Sequence, residues 1–216
     1  MTKAAVSAVP TRKRRFVEKP DVRAKFLDAA EELILNEGYA AASARAIADR
    51  VGMKHQAIFY YFGSQDELLL EVFRRSARHH GERLDLALGS ENPIRGMWEL
   101  AKDSASTGLS IEFMALANHN EAIRAEIAQN AVEIRHREAE AIGAYLKRRG
   151  INPRLSPEVV SILTNACARL LVQESTLGID TGHEAYEALV ENSFRAFEAS
   201  GEASEGIEPI VGPLSQ

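Results

Sequence analysis

Twenty residues, Ser43 to Phe62, constrain this chain more than any other stretch, because two short apolar-periodic runs meet there at a single glycine. Ser43 is a good N-cap for a helix that turns Ile47, Ala48 and Val51 inward. Gly52 ends that helix, and a shorter one is expected from about His55 to Phe62, with Ile58 completing a small core. Ala48 is small where the two helices must cross closely. A tight glycine turn between two short helices is what a helix-turn-helix requires. The residues left facing outward at the start of the second helix are Lys54, His55, Gln56 and Ala57. A helix presented in this way fits a DNA major groove, where Gln can bond adenine bidentately, Ala can touch a thymine methyl and His can donate to a phosphate or guanine edge. An ordinary helical hairpin could carry the same solvated residues, but it needs neither the glycine turn nor the aromatic cluster that follows.

The rest of the chain reads as helical too. Phe26, Ala29, Ala30, Leu33 and Ile34 recur at three-and-four spacing before Gly38. Ser64-Gln65-Asp66-Glu67 forms a capping box that opens a long helix to about Leu88. Pro93 opens another, a segment holds Ile111, Phe113 and Met114, and a long helix runs from about Glu121 to Arg149. Ser156-Pro157 caps a helix reaching about Leu177, and Thr181 to Glu184 form a further capping box before a last helix to about Ala199. No alternating run suggests a strand. The expected fold is all-α, with an N-terminal three-helix helix-turn-helix domain and a C-terminal helical bundle. Residues 1–20 read as a flexible basic arm, 21–66 as the DNA-binding domain, 67–200 as an effector-binding and dimerisation domain, and 201–216 as a loose tail.

Charge is divided along the same lines. The net charge is −5, yet residues 1–62 hold 11 Lys/Arg against 7 Asp/Glu while residues 63–216 hold 15 against 24. A basic head on an acidic body suits a protein whose head alone meets a polyanion. No apolar run is long enough to span a bilayer, and the mildly apolar Ala4–Val9 stretch precedes the basic cluster, the reverse of a secretory signal. Cys167 is the only cysteine, so an intrachain disulfide is excluded, and a cytoplasmic setting is expected. Catalytic signatures are missing: there is no Gly-x-Ser-x-Gly elbow, phosphate-cradling loop or His-Glu-x-x-His. His79 and His80 are adjacent and would point about 100° apart on a helix, which makes a poor metal pair. The expectation is no enzyme, no cofactor and no metal.

Residues 22–71 resemble the DNA-binding domain of the tetracycline-repressor (TetR) family. The resemblance rests on Ala29-Ala30, Leu33-Ile34, Gly38-Tyr39, Ser43, Ile47-Ala48, Gly52-Met53, Ile58-Phe59-Tyr60-Tyr61-Phe62 and Ser64 through Leu69, all in register. It implies that Ser43 and Arg45 sit against the groove or backbone, that Lys54, His55, Gln56 and Ala57 face the bases, and that Tyr60 and Tyr61 reach phosphates. Two positions depart from the family's pattern. Phe59 replaces the first tyrosine of a pair, and Gln65 replaces a common lysine, so two backbone anchors are lost. The arm residues Arg12, Lys13, Arg14 and Arg15 are expected to compensate along phosphates or in the minor groove.

The resemblance further implies a dimer that binds a palindromic double-stranded operator and a small-molecule effector that releases it by shifting the fourth helix. The helices expected to pair are 156–177 and 181–199. Val159, Ile162, Leu163, Ala166 and Leu170 form one apolar face there, and Tyr186, Leu189, Val190, Phe194 and Phe197 another, although either stripe could equally pack inside one protomer. Candidate effector contacts are Met97, Trp98, Phe113, Met114, His119 and Tyr145, each also suited to an ordinary core. Asn165, Arg169 and Gln173 stack four apart on one helix face, with Arg169 the best candidate for an anionic group. A regulator without a small-molecule effector, controlled by a partner protein, is the alternative.

Overall fold

The computed structural model describes residues 20–151 and 155–199. The arm residues 1–19 and the tail from 200 onward, and with them Arg12, Arg14 and Arg15, lie outside the described residues, as does the Phe197 side chain. Within the described residues the chain is all-α. Its helices are α1 (Pro20–Glu37), α2 (Ala44–Val51), α3 (Gln56–Phe62), α4 (Gln65–Leu88), α5 (Pro93–Ala101), α6 (Ser104–Ala117), α7 (Glu121–Arg148), α8 (Pro157–Thr176) and α9 (His183–Ala199), with a 3₁₀ turn at Tyr39–Ala41.

The helix boundaries follow from side chains that occupy the unpaired amides of first turns. Ser43 accepts from the Ala46 amide, Ser64 from Glu67 and Ser156 from Val159. Asn92, Asp103 and Asn120 do the same for α5, α6 and α7. Proline occupies the first turn of α5 and of α8, where its missing N–H costs nothing. The Thr181 capping box does not form, because the Tyr186 amide closes 2.9 Å from the Gly182 carbonyl and Gly182 therefore precedes α9.

One core joins the head to the body. Phe26, Ala30 and Ile34 of α1, Ile47 and Ala48 of α2, Ile58 of α3, and Leu68 and Val72 of α4 lie in the same cluster as Leu109 and Phe113 of α6 and Ile123 of α7. A second cluster packs Leu84 and Met97 on Ile142, Tyr145 and Leu146, and a third packs Trp98 and Ala101 on Ala168 and Phe194. The 24-residue α4 runs through the whole assembly, about 36 Å at 1.5 Å per residue. It meets α5 at very close range. A Cβ added to Gly96 would stand 2.5 Å from the Ala87 carbonyl oxygen, so this crossing accepts only glycine.

Buried polar contacts set the remaining alignments. Glu138 of α7 is almost fully enclosed and accepts from Ser161 Oγ at 2.6 Å and from Asn165 Nδ2 at 3.1 Å, both on α8. Arg95 of α5 forks onto Glu191 of α9 at 2.9 and 3.1 Å and lies over the Phe194 ring.

Candidate DNA interface and effector cavity

The turn between α2 and α3 is built by backbone geometry. Gly52 adopts φ 70°, a left-handed conformation that costs glycine nothing, and its amide donates to Asp49 O at 3.1 Å while the Met53 amide donates to Ala48 O at 2.9 Å. That pair of bonds is a Schellman motif, and it satisfies the last carbonyls of α2 while redirecting the chain. Ile47, Ala48 and Ile58 are fully buried at the crossing, and Phe62 meets Phe26 edge-on at 6.1 Å. The opposite face of α3 is open. Lys54, His55 and Gln56 are exposed, Ala57 is half-buried, and the His55 ring stands edge-on to Phe59, itself 49% exposed.

Ser43 uses its hydroxyl as a helix cap, and Arg45 projects into solvent with only a loose 3.9 Å approach to Asp49. Tyr60 is half-exposed, whereas the Tyr61 ring is buried between Tyr60 and Phe26. Arg50 is held at 2.6 Å by both Glu32 and Glu37, and Arg23 is paired with Glu71. Arg50 therefore braces α2 on α1, and Arg23 fastens α1 to α4.

Three contacts that sequence reasoning missed fasten α1, the 3₁₀ turn and α2 to α4 and α6. Gln65 Oε1 accepts from the Ala44 amide at 2.9 Å, so the residue that departs from the family's lysine fastens the start of α2 to the start of α4. Glu112 Oε2, on α6, accepts from the Tyr39 amide at 2.7 Å. Arg75 of α4 bonds Asp28 and Glu31 of α1, each at 2.6 Å.

A cavity of about 100 Å³ lies between α4, α5, α6, α7 and α8. Phe73, Ser76, Ala77 and His80 line it from α4; Ser106, Thr107, Ser110, Phe113 and Met114 from α6; Ile127, Asn130 and Ile134 from α7; and Arg169 from α8. Of the nine residues expected from sequence, the structure brings Phe113, Met114 and Arg169 here. Met97 and Tyr145 instead fill the second core and Trp98 the third, where it packs on Tyr186. His119 is exposed beyond the end of α6, Asn165 is engaged by Glu138, and Gln173 is exposed on α8. The α4 wall was missed, although Phe73, Ala77 and His80 do recur at helical spacing. Burial, then the charges of Arg169 and Arg83, hold His80 below the ordinary histidine range, so its ring is kept neutral.

The arrangement is a helix-turn-helix head with one open face on α3, fused through a shared core to a helical body with a cavity. Residues 26–72 match the family model for bacterial regulatory proteins, tetR family. That match covers the DNA-binding head, which carries this family's signature. Among curated relatives, the fatty acid metabolism regulator protein of Bacillus subtilis (strain 168) is 27% identical over 125 residues, which cover 56% of this chain and 61% of that protein. Among solved structures, a transcriptional regulator from Saccharomonospora viridis in complex with choline superposes with TM-score 0.66 at 19% identity, covering 74% of this chain and 88% of that one. A TetR transcription regulator from Haloarcula marismortui gives TM-score 0.63 at 18% identity, covering 79% and 95% respectively. At such identities these likenesses concern the fold. Among the described residues no helix is long and apolar enough to cross a membrane.

Proposed function

We propose that this chain is a homodimeric repressor that binds a palindromic operator and leaves it when a small molecule occupies the body. The observation that carries the DNA-reading half is the start of α3, where Lys54 and His55 just before the helix and Gln56 at its first position stand exposed, while Ile58 and Phe62 seal its other side. In this reading Gln56 and Ala57 address base edges, with Lys54 and His55 beside them. Ser43, Arg45 and Tyr60 contact the phosphate backbone, while Tyr61, its ring buried, contributes at most its hydroxyl. Arg12, Arg14 and Arg15 add phosphate contacts from the arm.

Dimerisation is supported by the outer face of α8. Val159, Ile162, Leu163 and Leu170 are 38–52% exposed, an apolar stripe that this protomer does not cover. The α9 stripe is different: among its described side chains Tyr186, Val190 and Phe194 pack inward and Leu189 alone is exposed, so α8 would supply most of the apolar contact. Two heads related by such an interface can read half-sites about one helical turn apart.

Gating is supported by continuity between the cavity and the head. Phe73 of α4 and Phe113 of α6 line the cavity and touch edge-to-face at 5.3 Å, and Glu112, next to Phe113, holds the Tyr39 amide. A ligand that moves α6 against α4 therefore acts on both attachments of the head. Its effect on operator affinity is limited to its preference for the released state. The cavity, and a relative solved with choline, favour this reading over control by a partner protein alone.

The experiment is a mobility shift with a duplex covering the region upstream of the chain's own gene, comparing wild type with the Lys54→Ala/Gln56→Ala variant. Retardation by wild type that the variant loses is expected. Equal retardation by both proteins overturns the assignment of α3 as the reader.

A further inference from the structure

We infer that the effector of this cavity is a small organic anion, an amphiphile whose carboxylate or equivalent oxyanion pairs with Arg169. The inference deepens the effector-gated reading and rests on it for its biological meaning, but the binding it describes stands on the cavity alone.

The charge census of the wall carries the argument. Its titratable or charged members are Arg169 and His80, and no carboxylate lines it. The remaining polar groups are the hydroxyls of Ser76, Ser106, Thr107 and Ser110 and the Asn130 amide. Most other cations in the body are already paired: Arg74 with Glu126, Arg83 with Asp103, Arg137 with Asp85, and Arg95 with Glu191. Arg169 is the one arginine or lysine in the described lining of the cavity, and no ion pair to a described acidic side chain engages it. Arg169 is an exposed residue that also lines the cavity, so it can receive an anion there without first breaking an internal ion pair. A cationic ligand would meet the opposite situation: a positive field and no acid to answer it.

The other walls set the size and character of the rest of the molecule. Phe73, Phe113, Met114, Ile127 and Ile134 make an apolar lining, and Met is an adaptable one. A water-sized group needs roughly 10–15 Å³ of such space, so the cavity accommodates on the order of ten groups or fewer. That suits an aryl or short-chain carboxylate and is too small for a long acyl chain without enlargement.

The test is calorimetric titration of the full-length protein with three probes of one shape: benzoate, benzamide and benzylammonium. Hexanoate and hexanamide serve as an aliphatic pair. The carboxylates are expected to bind at least tenfold more tightly than their amides, and Arg169→Gln to erase that difference while Arg169→Lys retains part of it. Because Arg169 is exposed, the variants are expected to keep the wild-type melting temperature, which circular dichroism checks. Binding of amide or ammonium equal to that of carboxylate overturns the inference, as does wild-type preference in Arg169→Gln or no carboxylate binding. Operator release is measured separately. Carboxylate binding that leaves operator affinity unchanged would refute the gating reading and leave the anion site intact. Operator binding intact without carboxylate binding would refute only the anion site.

Discussion

Leu163 lies in the middle of the uncovered α8 stripe and is 49% exposed. Fully burying a leucine is worth about 1.5–3 kcal/mol, so a partner covering the exposed half would gain about 1 kcal/mol. A two-fold interface counts the residue twice. Leu163→Ala should therefore weaken the dimer by about 2 kcal/mol, roughly thirtyfold in dissociation constant. Leu163→Glu should do more, because each protomer would then bury a carboxylate against an apolar neighbour. Neither change touches the core of one protomer, so far-UV dichroism and cooperative melting should persist. Sedimentation equilibrium over a range of concentrations reads the dissociation constant directly. Leu86→Ala, at a 79% exposed position on α4, is the control that should leave it unchanged. A Leu163→Glu protein that stays dimeric with the wild-type constant would refute α8 as the interface.

Three further outcomes follow from the packing and electrostatics. Gly96→Ala should lower the melting temperature. Its Cβ would lie 2.5 Å from a backbone oxygen, an overpacking cost of about 3 kcal/mol that outweighs the ~1 kcal/mol gained in helix propensity; an unchanged or higher midpoint would contradict the α4–α5 crossing. Glu112→Ala should cost about 1.5–3 kcal/mol in urea unfolding by removing a charged acceptor from the Tyr39 amide, and Glu112→Gln, which keeps an acceptor, should cost less; equal and negligible losses would count against the junction. His80 is held below its ordinary value by burial, then by Arg169 and Arg83, so the unfolded chain takes up a proton there that the folded chain refuses. Stability should fall as pH drops below about 6.5 toward the folded value, and the fall should be shallower in His80→Gln; identical pH slopes in the two proteins would refute it.

Much of the head was legible because its determinants are local. Ser43, Gly52 and Ser64 act on amides and carbonyls within a few residues, and the inward set Ile47, Ala48 and Ile58 follows from period alone. The α8 stripe was legible in the same way, but its exposure was not, since periodicity marks an apolar face without saying what covers it. The cavity was less accessible. Met97, Trp98 and Tyr145 carry the chemistry of a ligand wall, yet the angles at which α5 and α7 cross put them into filled cores. Those same angles turn Phe73 and His80 of α4 toward the space. Gln65 and Glu112 were invisible as junction residues because each bonds a backbone amide that is distant in sequence, 21 and 73 residues away. Asn165 was expected at a ligand and is spent on Glu138, a pairing between helices that no single-helix pattern encodes.

The central claim is that the open face of α3 reads duplex sequence. Selection of binding sites from a random duplex library by the full-length protein tests it most directly, since it presumes no operator. Enrichment of an inverted repeat with half-sites about one turn apart is expected, with the preferred half-site bases changed or lost in Gln56→Ala. Recovery of no enriched sequence, or of the same repeat by both proteins, would contradict it.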